Sequence, residues 1–184
     1  MAIRKIELYG SPVLREKSAP VSHITPEVQV LLDDMVETMR HASGAGLAAN
    51  QVGVALRAMV VDLGARGEKE QILYLLNPEI VEQSGEMHEE EGCLSIPKIY
   101  ERVKRPARIK VRALDRDGNP LEIEGTEFLC RALCHEIDHL DGILFVDRLS
   151  PLRRDIVKRK IKKLIRDGEW EDPYPQPERR SQNA

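Results

Sequence analysis

The segment His135-Glu136-Ile137-Asp138-His139 places two imidazoles and a carboxylate where they can act on one metal ion. On a helix of about 3.6 residues per turn, His135 and His139 lie almost one above the other and can bind the same divalent cation. Glu136 is rotated by about 100° from His135 and can reach a water molecule beside the metal. This His-Glu-x-x-His pattern is typical of hydrolases that use metal-activated water.

So short a pattern also occurs by chance, and an ordinary helix with two partly exposed histidines is the alternative interpretation. The flanking residues favour a real helix, because Thr126 can cap its start and Gly142 stands where it should end. Phe128 and Ala132 precede His135 at helical spacing and share its face. We therefore expect an apolar surface beside the metal, where a hydrophobic substrate group can rest.

Length and composition limit the class of protein. The chain has 184 residues, of which 41% are hydrophobic and 32% charged, as in a single soluble globular domain. A formal net charge of -3 gives no general attraction to nucleic acid or to anionic membranes. The sequence lacks a secretory signal at its start and any run near the roughly 18 apolar residues of a membrane span. We predict a cytoplasmic protein with no membrane partner.

Two histidines leave a catalytic metal short of a ligand, because such sites usually take three protein ligands and a water molecule. Cys130 and Cys134 are expected to turn away from the histidine face and to pack as small hydrophobic residues. Cys93 follows Gly92, a residue that lets the backbone approach closely. Spacing and composition alone do not decide whether Cys93 is the third ligand.

Two protease patterns are disfavoured by residues downstream of the motif. The extended pattern of some zinc proteases requires a histidine at position 145, where this chain has Phe145. A glutamate ligand would have to be Glu169 or Glu171, in a Pro- and charge-rich stretch that we expect to be disordered.

Helical periodicity appears near both ends of the chain. Thr25 and Pro26 suit the start of a helix, and apolar residues at helical spacing continue to about His41. After Ser150-Pro151, a basic helix is predicted with one apolar side, formed by Val157, Ile161, Leu164 and Ile165. Its basic side can meet an acidic partner, although a solvated surface is the interpretation that sequence alone favours.

Strand patterns are predicted between these helices, as apolar runs or as alternations bounded by turn residues. One apolar run is expected to end at Leu63, before a loop at 64–67. The run after this loop is expected to end at Asn77-Pro78. Glu89-Glu90-Glu91 is interpreted as a solvated charge run. The four predicted strand segments are 54–63, 71–76 and the two sides of a charged hairpin, 108–113 and 121–124.

Three segments resemble the signature motifs of the peptide deformylase family, in the right order and at the right separations. They are residues 44–51, 91–95 and 135–139, within a resemblance that spans about residues 1–165. The resemblance implies an α+β fold in which antiparallel β-sheets pack around a central metal-binding helix, with an N-terminal helix and a C-terminal helix. It implies a single catalytic domain over 1–168, followed by a flexible, charged and Pro-rich tail over 169–184.

The family is one of metal-dependent hydrolases that remove the N-terminal formyl group from formyl-methionyl nascent polypeptides and release formate. The resemblance therefore implies one divalent metal ion per chain, natively Fe(II), although Zn(II), Ni(II) or Co(II) suit the same ligands. It implies N-formylmethionyl peptides as partners and a ribosome contact through the basic C-terminal helix. We expect the protein to be a monomer.

Transferred residue by residue, the resemblance makes Cys93, His135 and His139 the metal ligands and Glu136 the catalytic acid and base. Gln51 and the backbone N–H of Leu94 are implied as donors to the oxyanion. The substrate is expected to lie as an extended strand beside residues 44–48, with its methionine side chain in a pocket. The implied substrate-binding residues are Ala45, Gly46, Gly92, Phe128, Arg131 and Ala132.

Two of these residues depart from the family pattern, since Ala45 is smaller than the usual branched residue and Arg131 is polar for a pocket wall. Two other functions are also consistent with the motif. One is a non-catalytic protein with a structural metal, although such sites are normally closed by four protein ligands. The other is an endopeptidase.

Overall fold

The computed structural model describes residues 2–66, 71–171 and 173–175. Within these ranges the chain forms α-helices α1 (Pro26–His41), α2 (Glu127–Leu140) and α3 (Pro151–Arg166). The strands, in chain order, are β1 (Gly46–Ala48), β2 (Ala58–Asp62), β3 (Ile72–Ser84), β4 (Met87–Cys93), β5 (Ile96–Arg105), β6 (Arg108–Leu114) and β7 (Pro120–Thr126).

The strands form two antiparallel sheets. The larger sheet has the order β1-β2-β3-β6-β7, so β1 and β7 are its edges. The smaller sheet consists of β4 and β5. With a helix near each end of the chain and α2 packed between the sheets, the predicted α+β fold is confirmed.

Helices α1 and α2 cover opposite faces of the larger sheet. Along β2, the side chain of Val60 packs in the cluster of α1, whereas Met59 and Val61 pack in the cluster of α2. This division follows from the period of two along a strand, and every residue of β2 is buried because both faces are covered. A third cluster lies between β5 and α3, around Phe145, Val157 and Ile161.

The predicted charged hairpin is confirmed as β6 and β7. Ile109, Val111 and Ala113 are buried, while their charged neighbours face solvent. Across the exposed face, Lys110 forms ion pairs with Glu82 of β3 and Glu122 of β7. Such pairs favour the register in which the apolar residues face the core.

Helix α2 has the predicted bounds, but its start is held differently from our expectation. Thr126 occupies the N-cap position without a side-chain capping hydrogen bond. At the other end, Gly142 has φ +72°, and a Cβ there would lie 2.6 Å from the carbonyl oxygen of Arg15. Glycine therefore allows both the left-handed turn and the close packing that end the helix.

The prediction that a strand ends at Asn77-Pro78 is wrong, because β3 continues to Ser84. The pairing with β6 shifts register between Leu76 and Glu79, which takes the proline out of the hydrogen-bonded ladder. Asn77 has φ +52°, and its side chain bonds both the N–H and the carbonyl of Val21. The hydrogen bonds of the Asn77 side chain thus replace backbone hydrogen bonds of the ladder between β3 and β6.

Two smaller predictions also change. The loop predicted at 64–67 begins as a short 3-10 helix over Leu63–Arg66, and Gly67 lies outside the described residues. Ile165 is 53% exposed, so the buried side of α3 is narrower than its sequence pattern indicates.

Most of the predicted tail, 172 and 176–184, lies outside the described residues, and its flexibility stays a prediction. Among the helices that are described, none is long and apolar enough to cross a membrane.

Candidate active site

Cys93, His135 and His139 converge between the two sheets. Their ligand atoms lie within 4.8 Å of one another, and Cys93 Sγ is 3.1 Å from His139 Nε2. Since metal–sulfur and metal–nitrogen bonds to zinc are about 2.3 and 2.0–2.1 Å long, small side-chain movements would let one ion among the three atoms reach all of them. A thiolate with two imidazoles is a donor set that suits a divalent transition metal. The residues present therefore fit a metal.

The local folding of each ligand explains this convergence. Cys93 ends β4, where a register irregularity separates it from Gly92, and the histidines occupy successive turns of α2. Both imidazoles are almost fully buried. Phe145, at the position where some zinc proteases have a third histidine, stacks on His135 with ring centroids 6.1 Å apart. Phe145 therefore packs against a candidate ligand and does not belong to the group of described residues that could hold a metal.

Glu91 fixes the orientation of His135. Its Oε2 accepts a hydrogen bond from His135 Nδ1 at 2.9 Å, which leaves Nε2 to face the other two ligands. A carboxylate that accepts from a ligating histidine fixes the tautomer and makes the ring a stronger donor to the metal. Burial by itself would raise the pKa of Glu91, but hydrogen bonds from Arg105 and His135 outweigh it and lower the pKa to about 2.

Arg105 connects Glu91 to the ligand helix. It donates to both carboxylate oxygens of Glu91, at 2.8 and 2.9 Å, and to Asp138 at 2.5 Å. Asp138 also accepts from Arg148, which follows α2. We call Glu91, Arg105, Asp138 and Arg148 the carboxylate–arginine network. Its buried charges are paired, as charges in a low-dielectric interior must be.

The interpretation of Glu91 as part of a solvated charge run is wrong, because its residue is 5% exposed whereas Glu89 and Glu90 are exposed. Sequence reasoning also missed Arg105 and Asp138. The burial of Asp138 could have been predicted, because it lies between His135 and His139 on a helix that must be buried. A buried carboxylate requires a buried cation, which the sequence alone could not identify.

Glu136 is buried beside the ligands, and its Oε2 has no hydrogen-bond partner within the described part of the chain. Burial raises the pKa of Glu136 to about 7. A carboxyl group whose pKa lies near neutrality can both accept and return a proton in that range. The position and the raised pKa of Glu136 therefore suit it to act as a general acid and a general base.

Gly46 lies directly against this carboxylate. A Cβ at Gly46 would be 2.5 Å from Glu136 Oε1, so β1 can pass this close only with glycine. Two residues on, the N–H of Ala48 donates to Gln51 Oε1 at 2.9 Å. This contact turns Gln51 Nε2 toward Cys93 Sγ, 3.6 Å away, and Ser95 Oγ, 3.2 Å away.

A cavity of about 450 Å³ opens over the ligands. With the exception of His139, which lies beneath it, the cavity is lined by all the catalytic, metal-binding and substrate-binding residues expected from the sequence. Arg131 stacks on the ring of Phe128, with its guanidinium carbon 5.8 Å from the ring centroid. A guanidinium over an aromatic face is favourable, so this polar residue can form part of the cavity wall together with Phe128.

The remaining candidate ligands stay outside the cluster. Cys130 and Cys134 are buried, and burial raises the pKa of both thiols, that of Cys134 to about 12. They pack in the core as predicted. Glu169 forms an ion pair with Lys98, and neither it nor Glu171 belongs to the group that could hold a metal among the described residues.

We expect Glu91→Gln to weaken metal binding roughly 10- to 100-fold, because a neutral amide is a poorer acceptor for His135 and leaves Arg105 without its anionic partner. Competition of the folded apoprotein with a chelator for Zn(II) or Co(II) measures this affinity. Glu89→Gln, on the exposed side of the same strand, is the matched control and should leave the affinity unchanged. Equal affinities for the two variants would contradict the role given to Glu91.

Known proteins match the chain over nearly its whole length. The sequence model of the polypeptide deformylase family matches residues 3–155. The peptide deformylase of Acidobacterium capsulatum is 48% identical over 170 residues, which cover 92% of this chain and 100% of that protein.

Solved structures match the fold as well. The crystal structure of a peptide deformylase from Legionella pneumophila has a TM-score of 0.85 and 45% identity, and the match covers 92% of this chain and 99% of that one. The peptide deformylase from Ehrlichia chaffeensis, solved in complex with actinonin, has a TM-score of 0.83 and 38% identity, with coverage of 89% and 98%. The chain therefore belongs to the polypeptide deformylase family.

Proposed function

We propose that this chain is a metal-dependent peptide deformylase whose catalytic acid and base is Glu136. It removes the N-terminal formyl group from formyl-methionyl nascent polypeptides and releases formate. The observation that carries the residue assignment is the buried Glu136 carboxylate, whose Oε2 has no partner among the described residues, beside a cluster of one thiol and two imidazoles in a chain of this family. Three protein ligands leave room for water, whereas a structural site would normally have four.

Cys93, His135 and His139 would hold the metal, which when bound supplies the Lewis acidity that lets water lose a proton near neutral pH. Glu136 accepts that proton as the oxygen attacks the formyl carbon. The same carboxyl group then protonates the amine nitrogen as the carbon–nitrogen bond breaks. The products are formate and a peptide with a free amino group.

The negative charge that develops on the formyl oxygen needs preformed donors. Gln51 Nε2 is one, since its amide is held by Ala48 and directed toward the Cys93 side of the cavity. The backbone N–H of Leu94, next to Cys93 on the cavity wall, is the other. Both groups are in place before the substrate binds, so little reorganisation accompanies the reaction.

The edge of the larger sheet supports binding of the substrate as an added strand. β1 is an edge strand, so one side of its backbone has no partner strand within the part of the chain that the structure describes. The carbonyl of Ala45 accepts from Asp62 N–H at 2.9 Å, so the backbone of Ala45 is turned toward β2 at this point. By alternation along the strand, the backbone of Gly46 faces the cavity. Gly92 borders the cavity from β4.

The methionine side chain would enter the pocket formed by Phe128, Arg131 and Ala132, whose apolar surface lies beside His135 on α2. Fe(II) is our proposal for the native metal, with Zn(II), Ni(II) or Co(II) accepted by the same thiolate and imidazole donors. We further propose that the enzyme works as a monomer in the cytoplasm, where formylated chains are synthesised.

We expect Glu136→Ala to lower kcat for a formyl-methionyl peptide by about 10²- to 10⁴-fold, because proton transfer to and from the reacting groups is lost. Metal content after anaerobic purification should match that of the wild type and should show iron. Formate release and elemental analysis measure the two quantities. A wild-type protein that holds its metal and releases no formate would favour a structural site, and cleavage of internal bonds in unformylated peptides would favour an endopeptidase.

Gly46→Ala should reduce kcat strongly while the folded protein and its metal content persist. The added methyl group would collide with the end of the flexible Glu136 side chain, which can move aside at small cost in stability but then loses its catalytic position. Since a displacement of about 1 Å can cost 10²-fold in rate, we expect a loss of at least that order. Full activity of the variant would show that Glu136 tolerates displacement and would count against its assigned role.

We also propose that α3 contacts the ribosome. Lys158, Lys162 and Lys163 are exposed on this helix, which is attached to the core mainly through Val157 and Ile161. Charge reversal of the three lysines should reduce co-sedimentation with ribosomes at low salt and leave deformylation of a free peptide unchanged. Unchanged co-sedimentation would remove this part of the proposal.

A further inference from the structure

The segment after α3 is attached to one side of the cavity. Lys98 Nζ, at the start of β5, donates to the carbonyl of Glu169 at 3.2 Å and lies 3.7 Å from its carboxylate. Trp170 packs against the cluster between β5 and α3. The chain is thus held beside Pro97 and Ile99, which line the cavity.

The same segment also meets the opposite side of the cavity. The carbonyl of Pro175 lies 3.1 Å from His41 Nε2, at the last residue of α1. Ala42, Ser43 and Gly44 follow directly and line the cavity from that side. The described residues 169–171 and 173–175 therefore include contacts with β5 and with the end of α1, and Tyr174 is among the residues that line the cavity.

The position of Tyr174 places it at the mouth of the cavity. Its side chain is half-buried, and the prolines on either side of it are exposed. Proline restricts the backbone of the residue before it, so Pro175 limits the backbone conformations of Tyr174. An aromatic ring held in this way loses little conformational entropy when it contacts a ligand.

The mouth of the cavity carries apolar and aromatic side chains beside polar ones such as Ser43 and Lys98. Tyr174 shares it with Leu94, Pro97 and Tyr100, and Tyr100 is 65% exposed with its ring packed over Gly92. The reacting groups lie deeper in the cavity, beside His135 and Glu136. A substrate strand that places its formyl group at the ligands must pass outward through this mouth with the residues that follow methionine.

We propose that Tyr174 is a specificity-determining residue that favours apolar side chains in the substrate positions following methionine. This inference rests on the proposed function. The ring forms a part of the cavity wall that contacts the residues after methionine. Only substrates longer than formyl-methionine have such residues. Short substrates and substrates with glycine in these positions do not reach the ring.

The test compares the metal-loaded wild type with Tyr174→Ala, Tyr174→Phe and His41→Ala on three substrates. These are formyl-Met amide, formyl-Met-Gly-Gly amide and formyl-Met-Leu-Leu amide. Tyr174→Ala should raise KM for the Leu-Leu substrate about three- to tenfold, the range of one aromatic contact, with kcat unchanged. The other two substrates should be unaffected. Tyr174→Phe should match the wild type, and His41→Ala should show part of the increase because it frees Pro175.

Glu171→Ala is the matched control, because Glu171 is exposed on the same segment and does not line the cavity. Equal KM values for all variants on the Leu-Leu substrate would overturn the inference, as would a lower KM for Tyr174→Ala, which would mean that the ring obstructs the mouth. Wild-type formate release from formyl-Met amide separates the two failures. Without it the proposed function fails, and with it only the role of Tyr174 is at stake.

Discussion

The hydrogen bond between His135 Nδ1 and Glu91 is the interaction on which the site depends. It orients one ligand of the candidate metal cluster, and the carboxylate that accepts it is itself held by Arg105. Because the ion pair is buried, each charge is tolerable only while its partner is present. The buried pair therefore fixes one arrangement of α2 relative to β4 and β5.

The same network explains why an amphipathic helix can carry so many polar groups into the core. His135, Glu136, Asp138 and His139 are all buried on α2. Asp138 is neutralised by two arginines from outside the helix, one on β5 and one following α2. Glu136 Oε2 and His139 Nδ1 have no hydrogen-bond partner among the described residues, and an unpartnered carboxylate oxygen is consistent with a group that exchanges protons with a substrate. The paired groups hold the site, and the unpartnered carboxylate oxygen of Glu136 is available for proton transfer.

Much of this arrangement could be predicted from the sequence, for physical reasons that differ between its parts. The helical spacing of His135 and His139 decides by itself that they share a face. Cys93 could be added only through the three linked motifs, because no local pattern indicates where the end of β4 lies relative to α2. The pairing of Glu91 with Arg105 could not be predicted, since it joins two strands across a sheet whose register depends on tertiary contacts. Asn77 is similar, because its side-chain bonds to Val21 compensate for a proline that a local pattern interprets as a strand end.

The location of Cys93 has a consequence for the physical stability of the smaller sheet. Cys93 belongs to the β4–β5 sheet, whereas both histidines belong to the helix that packs on the larger one. An ion held by all three would act as a cross-link between parts of the chain far apart in sequence, much as a disulfide does. Metal binding would then stabilise the docked position of β4 and β5. Occupancy of the metal site and local opening of this sheet would therefore be thermodynamically coupled.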